Sequence, residues 1–273
     1  MSQRLPAIEW SGFSDIGPVR EDNQDSIHLP DGSHPPESGL LYAVADGMGG
    51  YTHGAVASSI AIQKLTETVY NGNGKPNPKL LRRAVETANL SIYKEAARLG
   101  SGRMGTTLTA AYILEENLHL VHVGDSRAYL LRDRRATCLT SDHTTVGDLV
   151  RTRLITPDKV RTHSQRSILT KSVGIGLFVQ PDVSRYKLQN EDYLILCSDG
   201  VWSVVQDNEF VDVVHESAEI ELISQNLVNL ALKRGTDDNA SVVAIHVREL
   251  RSAQLKNKQP LYSGWFRNRR KSA

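Results

Sequence analysis

The chain has 273 residues, 40% of them hydrophobic and 23% charged, which is ordinary globular composition with a sizeable core available. The formal charge of +1 hides an asymmetry: positions 251–273 carry seven basic side chains and no acid, leaving 25 basic against 31 acidic residues before them, about −6, which excludes a nucleic-acid-binding composition for the body. Only Cys138 and Cys197 are present, too few for a disulfide framework, and neither a leader peptide nor an 18-residue apolar span is visible, so a soluble, cytoplasmic protein is expected.

In chain order, Ala7 to Ser14, Asp25 to Leu29 and the apolar run Leu40 to Ala45 read as strands, with the Pro- and Gly-rich stretch from Pro30 to Gly39 as a loop. Ala57, Ala61, Leu65 and Val69 recur at i+4 and predict a helix. After a break from Asn71 to Pro78, Asn77 as N-cap and Pro78 at the first helical position open a second helix. Its stripe is Leu81, Val85, Ala88, Ile92 and Ala96, and it ends near Gly100. Strands are expected at Thr106 to Leu114, Leu118 to Val123 and Arg127 to Leu131, then short helices in the polar stretch from Asp142 to Ser167. Strands return at Val183 to Leu188 and Tyr193 to Cys197, followed by helices at Glu209 to His215 and Ile220 to Lys233, with Gly235 as a stop, and by a last strand at Ser241 to Val247. Helices come in pairs rather than one per strand, which argues against a doubly wound parallel sheet and for antiparallel sheets with helices outside.

Three apolar strands run straight into an aspartate: Ala45-Asp46-Gly47, Gly124-Asp125-Ser126 and Ser198-Asp199-Gly200. A single Asp-Gly is usually a turn, but Asp25 and the Asp237-Asp238-Asn239 run bring the number of acidic sites at strand ends to five. A carboxylate beside a core strand costs several kcal/mol unless it is hydrogen-bonded or bound to a cation. If the five converge, their repulsion demands divalent cations, and all-oxygen ligands point to Mg²⁺ or Mn²⁺ rather than zinc.

The ordered motifs Ser14-Asp15-Ile16-Gly17-Pro18-Val19-Arg20-Glu21-Asp22-Asn23-Gln24-Asp25, Val44-Ala45-Asp46-Gly47-Met48-Gly49-Gly50, Gly105-Thr106-Thr107-Leu108, Val123-Gly124-Asp125-Ser126-Arg127, Cys197-Ser198-Asp199-Gly200-Val201-Trp202 and Asp238-Asn239-Ala240-Ser241-Val242 resemble those of the metal-dependent protein phosphatases, the protein phosphatase 2C family, in a bacterial-type form. The resemblance covers roughly residues 9 to 247 and implies an α+β, four-layer α-β-β-α sandwich of two antiparallel sheets flanked by helix pairs. It implies a catalytic domain over residues 1–250, with a flap at about 143–167, while composition alone reads 251–273 as a basic, disordered tail. Asp46 and the Gly47 carbonyl would serve two central Mg²⁺ or Mn²⁺ ions, Asp199 and Asp238 would complete one shell, and Asp25 would lie on the other side. Asp125 with Asp199 would hold a third ion, and Arg20 would bind phosphate. Gln24 stands where some relatives carry Glu, a change an amide oxygen tolerates.

The implied reaction is hydrolysis of phosphoserine and phosphothreonine in proteins by direct attack of a water held between two metals, without a phospho-enzyme. Met48 stands where many eukaryotic relatives have a histidine acid, which leaves proton donation to a metal-bound water or to His53. Asp142-His143 is expected to begin the flap as a turn and helix cap, Arg127 to pair with a neighbouring carboxylate, and Glu21 and Asp22 to be solvated. Neither cysteine is followed six residues on by Arg, as a cysteine phosphatase needs, and no P-loop lysine is present. A binding-only pseudophosphatase would have lost a metal aspartate, and all five are intact. The expected partners are phosphoprotein substrates and a cognate Ser/Thr kinase with its targets, no nucleic acid, and an acidic partner or anionic membrane surface for the tail.

Overall fold

A computed structural model describes residues 7–34, 38–49, 53–71, 77–100 and 103–250. The expectations for the tail over 251–273, for the middle of the two breaks and for Gly50 lie outside those residues. The strands are β1 (Ala7–Asp15), β2 (Asp25–His28), β3 (Leu40–Gly49), β4 (Met104–Thr106), β5 (Leu108–Leu114), β6 (Asn117–Val123), β7 (Arg127–Arg132), β8 (Arg135–Cys138), β9 (Asp182–Lys187), β10 (Asp192–Cys197) and β11 (Ala240–Glu249). The helices are α1 (His53–Tyr70), α2 (Pro78–Leu99), α3 (Thr145–Arg151), α4 (Asp199–Trp202), α5 (Asp207–Glu216) and α6 (Ile220–Lys233).

One sheet has the order β1-β11-β10-β7-β8 and the other β2-β3-β5-β6-β9, with β4 paired to the end of β3. Every pairing between these strands is antiparallel. The central strands are apolar on both faces because both faces are covered. On β3, Tyr42 and Val44 face the core between the sheets, while Leu41, Ala43 and Ala45 face the buried sides of α1 and α2. On β10, Leu194 and Leu196 enter the same inter-sheet core, while Ile195 and Cys197 pack with α5 and α6 residues such as Phe210 and Leu227. Three stacked cores therefore separate four layers, helix pair, sheet, sheet, helix pair, as the sequence led us to expect.

The helix signals hold in detail. Ala57, Ala61, Leu65 and Val69 are the buried stripe of α1. Asn77 caps α2 through its side-chain oxygen, which accepts the Leu80 N–H at 3.0 Å, and Gly100 closes the helix in the left-handed conformation, φ 63°. Other expectations change. The strand expected from Thr106 to Leu114 is two, β4 and β5, interrupted at Thr107, whose hydroxyl accepts the Asp46 N–H. The polar stretch from Asp142 to Ser167 does hold short helices, α3 and a 3₁₀ turn at Pro157–Lys159, but the cap of α3 is Thr144, whose hydroxyl accepts the Gly147 N–H at 2.9 Å. Asp142 is therefore no cap; it takes the Arg127 guanidinium in a buried two-point ion pair at 2.9 and 2.6 Å.

Candidate metal centre

Strand pairing brings the first two carboxylates together. Asp25 opens β2 directly opposite Asp46 on β3. Opposed residues of an antiparallel pair share a face with Cβ atoms about 5 Å apart, and two like charges so placed destabilise the pair unless something offsets them. Asp46 does not end its strand, as expected, since β3 runs on through Gly47 to Gly49 against β4. The other sheet, and the turn that crosses between the two, supply the rest. Asp199 begins α4 immediately after β10, Asp238 stands just before β11, and Asp125 lies in the β6–β7 turn that Gly124 makes at φ 108°. Ser198 ties the sheets at this rim, donating from its hydroxyl to Asp25 Oδ2 at 2.8 Å.

The electrostatics are those of a site waiting for positive charge. Burial pushes the Asp46 carboxyl well above the usual range, and repulsion from Asp25, Asp199, Asp125 and Asp238 adds to it. Asp199 is pushed up to about 7, by burial first and then by Asp238 and Asp25. Asp25 is pushed up to about 6, mainly by burial, against hydrogen bonds from Ser241 and Ser198. Asp125 is raised well above its ordinary value by burial, then by Asp199 and Asp142. Asp25 Oδ1 and Asp199 Oδ1 are buried without a hydrogen-bond partner. An orphaned buried carboxylate oxygen carries a desolvation penalty that a coordinated cation removes. Among the described residues no three His, Cys, Asp or Glu side chains close into a formed coordination sphere; the carboxylates share a neighbourhood and a field. Oxygen-only donors, crowded and partly unpartnered, fit hard divalent cations such as Mg²⁺ or Mn²⁺.

Residues around the carboxylates build the frame. Asn239 staples the 16–24 segment to the start of β11, donating from Nδ2 to Ile16 O at 2.8 Å and Asp22 O at 3.0 Å, and accepting the Gln24 N–H at 2.9 Å. Thr106 Oγ1 and the Thr107 N–H both donate to the Asp46 carbonyl, at 2.9 and 2.8 Å. Gly47 must be glycine, since a Cβ there would fall 2.0 Å from Gly54 O and 2.6 Å from Gln24 O. In the sequence Asn239 is marked only by adjoining Asp238, and Thr106 and Thr107 only by the Gly105-Thr106-Thr107-Leu108 motif.

The remaining expected residues fall around this frame. Arg20 is half-exposed at the rim, with Nη2 on Asp238 Oδ2 at 2.6 Å and Nε on Asp237 O at 3.4 Å. Glu21 and Asp22 are exposed. His53 is the first residue of α1, beside Gly49, where a Cβ would meet its own at 3.2 Å. His143 accepts the Gly124 N–H at Nδ1, 3.1 Å, and so steadies the turn that carries Asp125. Arg127 lies 3.6 Å over the Trp202 ring, and the Trp202 indole N–H donates to Asp125 O at 2.9 Å.

Residues 19–233 match the family described as Protein phosphatase 2C. The serine/threonine protein phosphatase PstP of Mycobacterium tuberculosis is 34% identical over 265 residues, 97% of this chain, which spans about half the length of that protein, 49%. The structure of the serine/threonine phosphatase Stp1 from Staphylococcus aureus superposes with a TM-score of 0.83 at 32% identity, covering 91% of this chain and 98% of that one. The PstP catalytic domain, solved in complex with two manganese ions, gives 0.78 at 33% identity, covering 89% of this chain and 99% of that one. With the two-sheet sandwich and the carboxylate cluster at its rim, these likenesses fix the assignment: the chain belongs to the protein phosphatase 2C family.

Proposed function

We propose that this chain is a metal-dependent protein serine/threonine phosphatase, and that Asp25, Asp46, the Gly47 carbonyl, Asp125, Asp199 and Asp238 hold its Mg²⁺ or Mn²⁺ ions, two central and a third toward Asp125. The observation that carries the reading is the crowding of Asp25, Asp46, Asp199, Asp125 and Asp238, with two buried oxygens left unpartnered. Divalent ions bound there supply an activated water and offset the charge of the phosphoryl oxygens. The chain's own part is positioning. Asp25 and Asp46 fix the spacing through strand register, and Asn239 and Ser198 hold the two sheets together at the rim. The Arg20 guanidinium, parked on Asp238, offers a fork of donors to a phosphate entering from solvent. No side-chain nucleophile is required.

The catalytic domain would occupy residues 1–250, with a flap at about 143–167, and act in the cytoplasm; among the described residues no helix is long and apolar enough to cross a membrane. Its substrates would be phosphoproteins of a cognate Ser/Thr kinase. The seven basic side chains and no acid of 251–273 suit an acidic partner or an anionic membrane surface.

Phosphopeptide and p-nitrophenyl phosphate hydrolysis with Mn²⁺, and with excess chelator, tests the reading. Activity is expected to need the metal and to fall at least a hundredfold in Asp46→Asn. Arg20→Ala is expected to keep Mn²⁺ affinity in calorimetry while raising the KM for phosphopeptide severalfold. Full turnover in excess EDTA would refute the assignment.

A further inference from the structure

The loop from Val173 to Phe178 leaves three large apolar side chains in solvent: Ile175 is 44% exposed, Leu177 56% and Phe178 94%. Scattered exposed apolar residues are normal, but three within four positions form a patch that invites a partner. The loop is held in place. Buried Asn89 on α2 donates from Nδ2 to Gly176 O at 2.8 Å and Leu177 O at 3.2 Å, and its Oδ1 accepts the Gly174 N–H at 2.7 Å. Val173 and Thr106 exchange backbone hydrogen bonds at 2.9 and 2.8 Å, and Thr106 in turn holds the Asp46 carbonyl.

The same loop adjoins the carboxylates. Asp46 and Met48, two apart on β3, project on one face, about 7 Å apart along the strand. Gly105 stands opposite Met48, and a Cβ there would lie 2.9 Å from Ile175 Cγ1 and 3.1 Å from Met48 Cε. The missing side chain at Gly105 lets Met48 and Ile175 close over β4, and the chain continues outward to Leu177 and Phe178. Met48 thus links Asp46, two positions before it, to the first of the exposed side chains, Ile175.

We propose that Met48, Ile175, Leu177 and Phe178 form an apolar platform that receives a large aliphatic or aromatic side chain of the phosphoprotein substrate, about two to four positions from the phosphorylated residue. The protein then selects phosphosites by an apolar neighbour as well as by the phosphate. This rests on the phosphatase reading above. The occupant is the substrate because the platform is continuous with the metal centre through Thr106 and Met48.

The experiment compares kcat/KM for one phosphothreonine peptide carrying Leu or Phe in the flank with the same peptide carrying Ala. In the unaltered protein the apolar flank is expected to be favoured about tenfold, the order expected for covering one large apolar side chain. Leu177→Ser with Phe178→Ser should bring the ratio close to one, and Phe178→Lys should turn the preference toward an Asp flank. A ratio near one in the unaltered protein, or a preference that survives the double substitution, overturns the platform while Mn²⁺-dependent hydrolysis of p-nitrophenyl phosphate leaves the phosphatase reading standing. Loss of the preference through concentration-dependent dimerisation, seen in sedimentation, also overturns it and makes a second copy of the chain the occupant. A failure of the unaltered protein to hydrolyse even the small ester overturns the phosphatase reading and this inference together.

Discussion

Asp199 and Asp25 bind a proton more tightly in the folded chain than at their ordinary value of 3.8, at about 7 and about 6. The folded state therefore holds more protons than the unfolded one between about pH 4 and pH 7, and stability falls as pH rises through that window. The stabilising proton is fully in place below the unfolded value and is lost as pH passes the folded one. For each group the slope is at most about 1.4 kcal/mol per pH unit. In excess chelator the melting temperature is expected to fall from pH 5 to pH 8, and Asp199→Asn to flatten the fall and raise the melting temperature at pH 8. Added Mn²⁺ should restore the unaltered protein at pH 8, because it binds the folded state alone. A pH-independent melting temperature in chelator would contradict the crowding argument. The sequence made the aspartates legible because each adjoins an apolar strand, where an uncompensated charge is costly. It hid Asn239 and Ser198, because an amide or hydroxyl beside an Asp reads as turn chemistry until three-dimensional contact gives it partners 217 and 173 positions away. Asp142 was misread for the same reason, its partner Arg127 being a strand residue fifteen positions earlier.

Among the elements, α1, α2 and α6 were legible because their periodic stripes, and the caps of α2, are local. Asn77 is an example: its cap is written in the Asn-Pro pair and depends on nothing distant. Asn77→Ala is expected to lower stability by about 1 kcal/mol, read as a shift in the urea midpoint with an unchanged slope. Activity should be unaffected, since Asn77 lies twelve residues before Asn89, which ties α2 to the 174–177 loop. The short strands β4 and β8 were not legible. The strand β8 turns back on β7 through Asp133 and Arg134, both at positive φ, without the Asn-Gly pair that would advertise a hairpin. The break between β4 and β5 follows from Thr107 lending its hydroxyl to Asp46, which no propensity encodes.

At the scale of the whole molecule, the Arg127–Asp142 pair joins the sheet to the start of the polar 142–167 stretch, and Arg161 pins the far part of that stretch to the Trp202 carbonyl at 2.8 Å and to Asp207 at 2.6 Å. Both members of the first pair are buried, so Asp142→Ala leaves an uncompensated guanidinium and is expected to cost about 3 kcal/mol or more. The double change Arg127→Met with Asp142→Leu removes both charges and is expected to cost less than the single one, as chemical denaturation of the two variants will show. A double variant weaker than the single would mean that the charges themselves carry net stability.

The strand β11 is last in sequence among the described elements, yet it sits between β1 and β10 with full ladders on both sides. Asp238 and Asn239 arrive with it, and they engage Arg20, Gln24 and the 16–22 segment, more than two hundred residues earlier. During synthesis, then, Asp25 and Asp46 emerge long before the strand that brings Asp238 and Asn239, and a nascent chain stopped short of residue 238 leaves β1 without its neighbour and β10 as an unpaired sheet edge, the kind of edge that other chains can pair with.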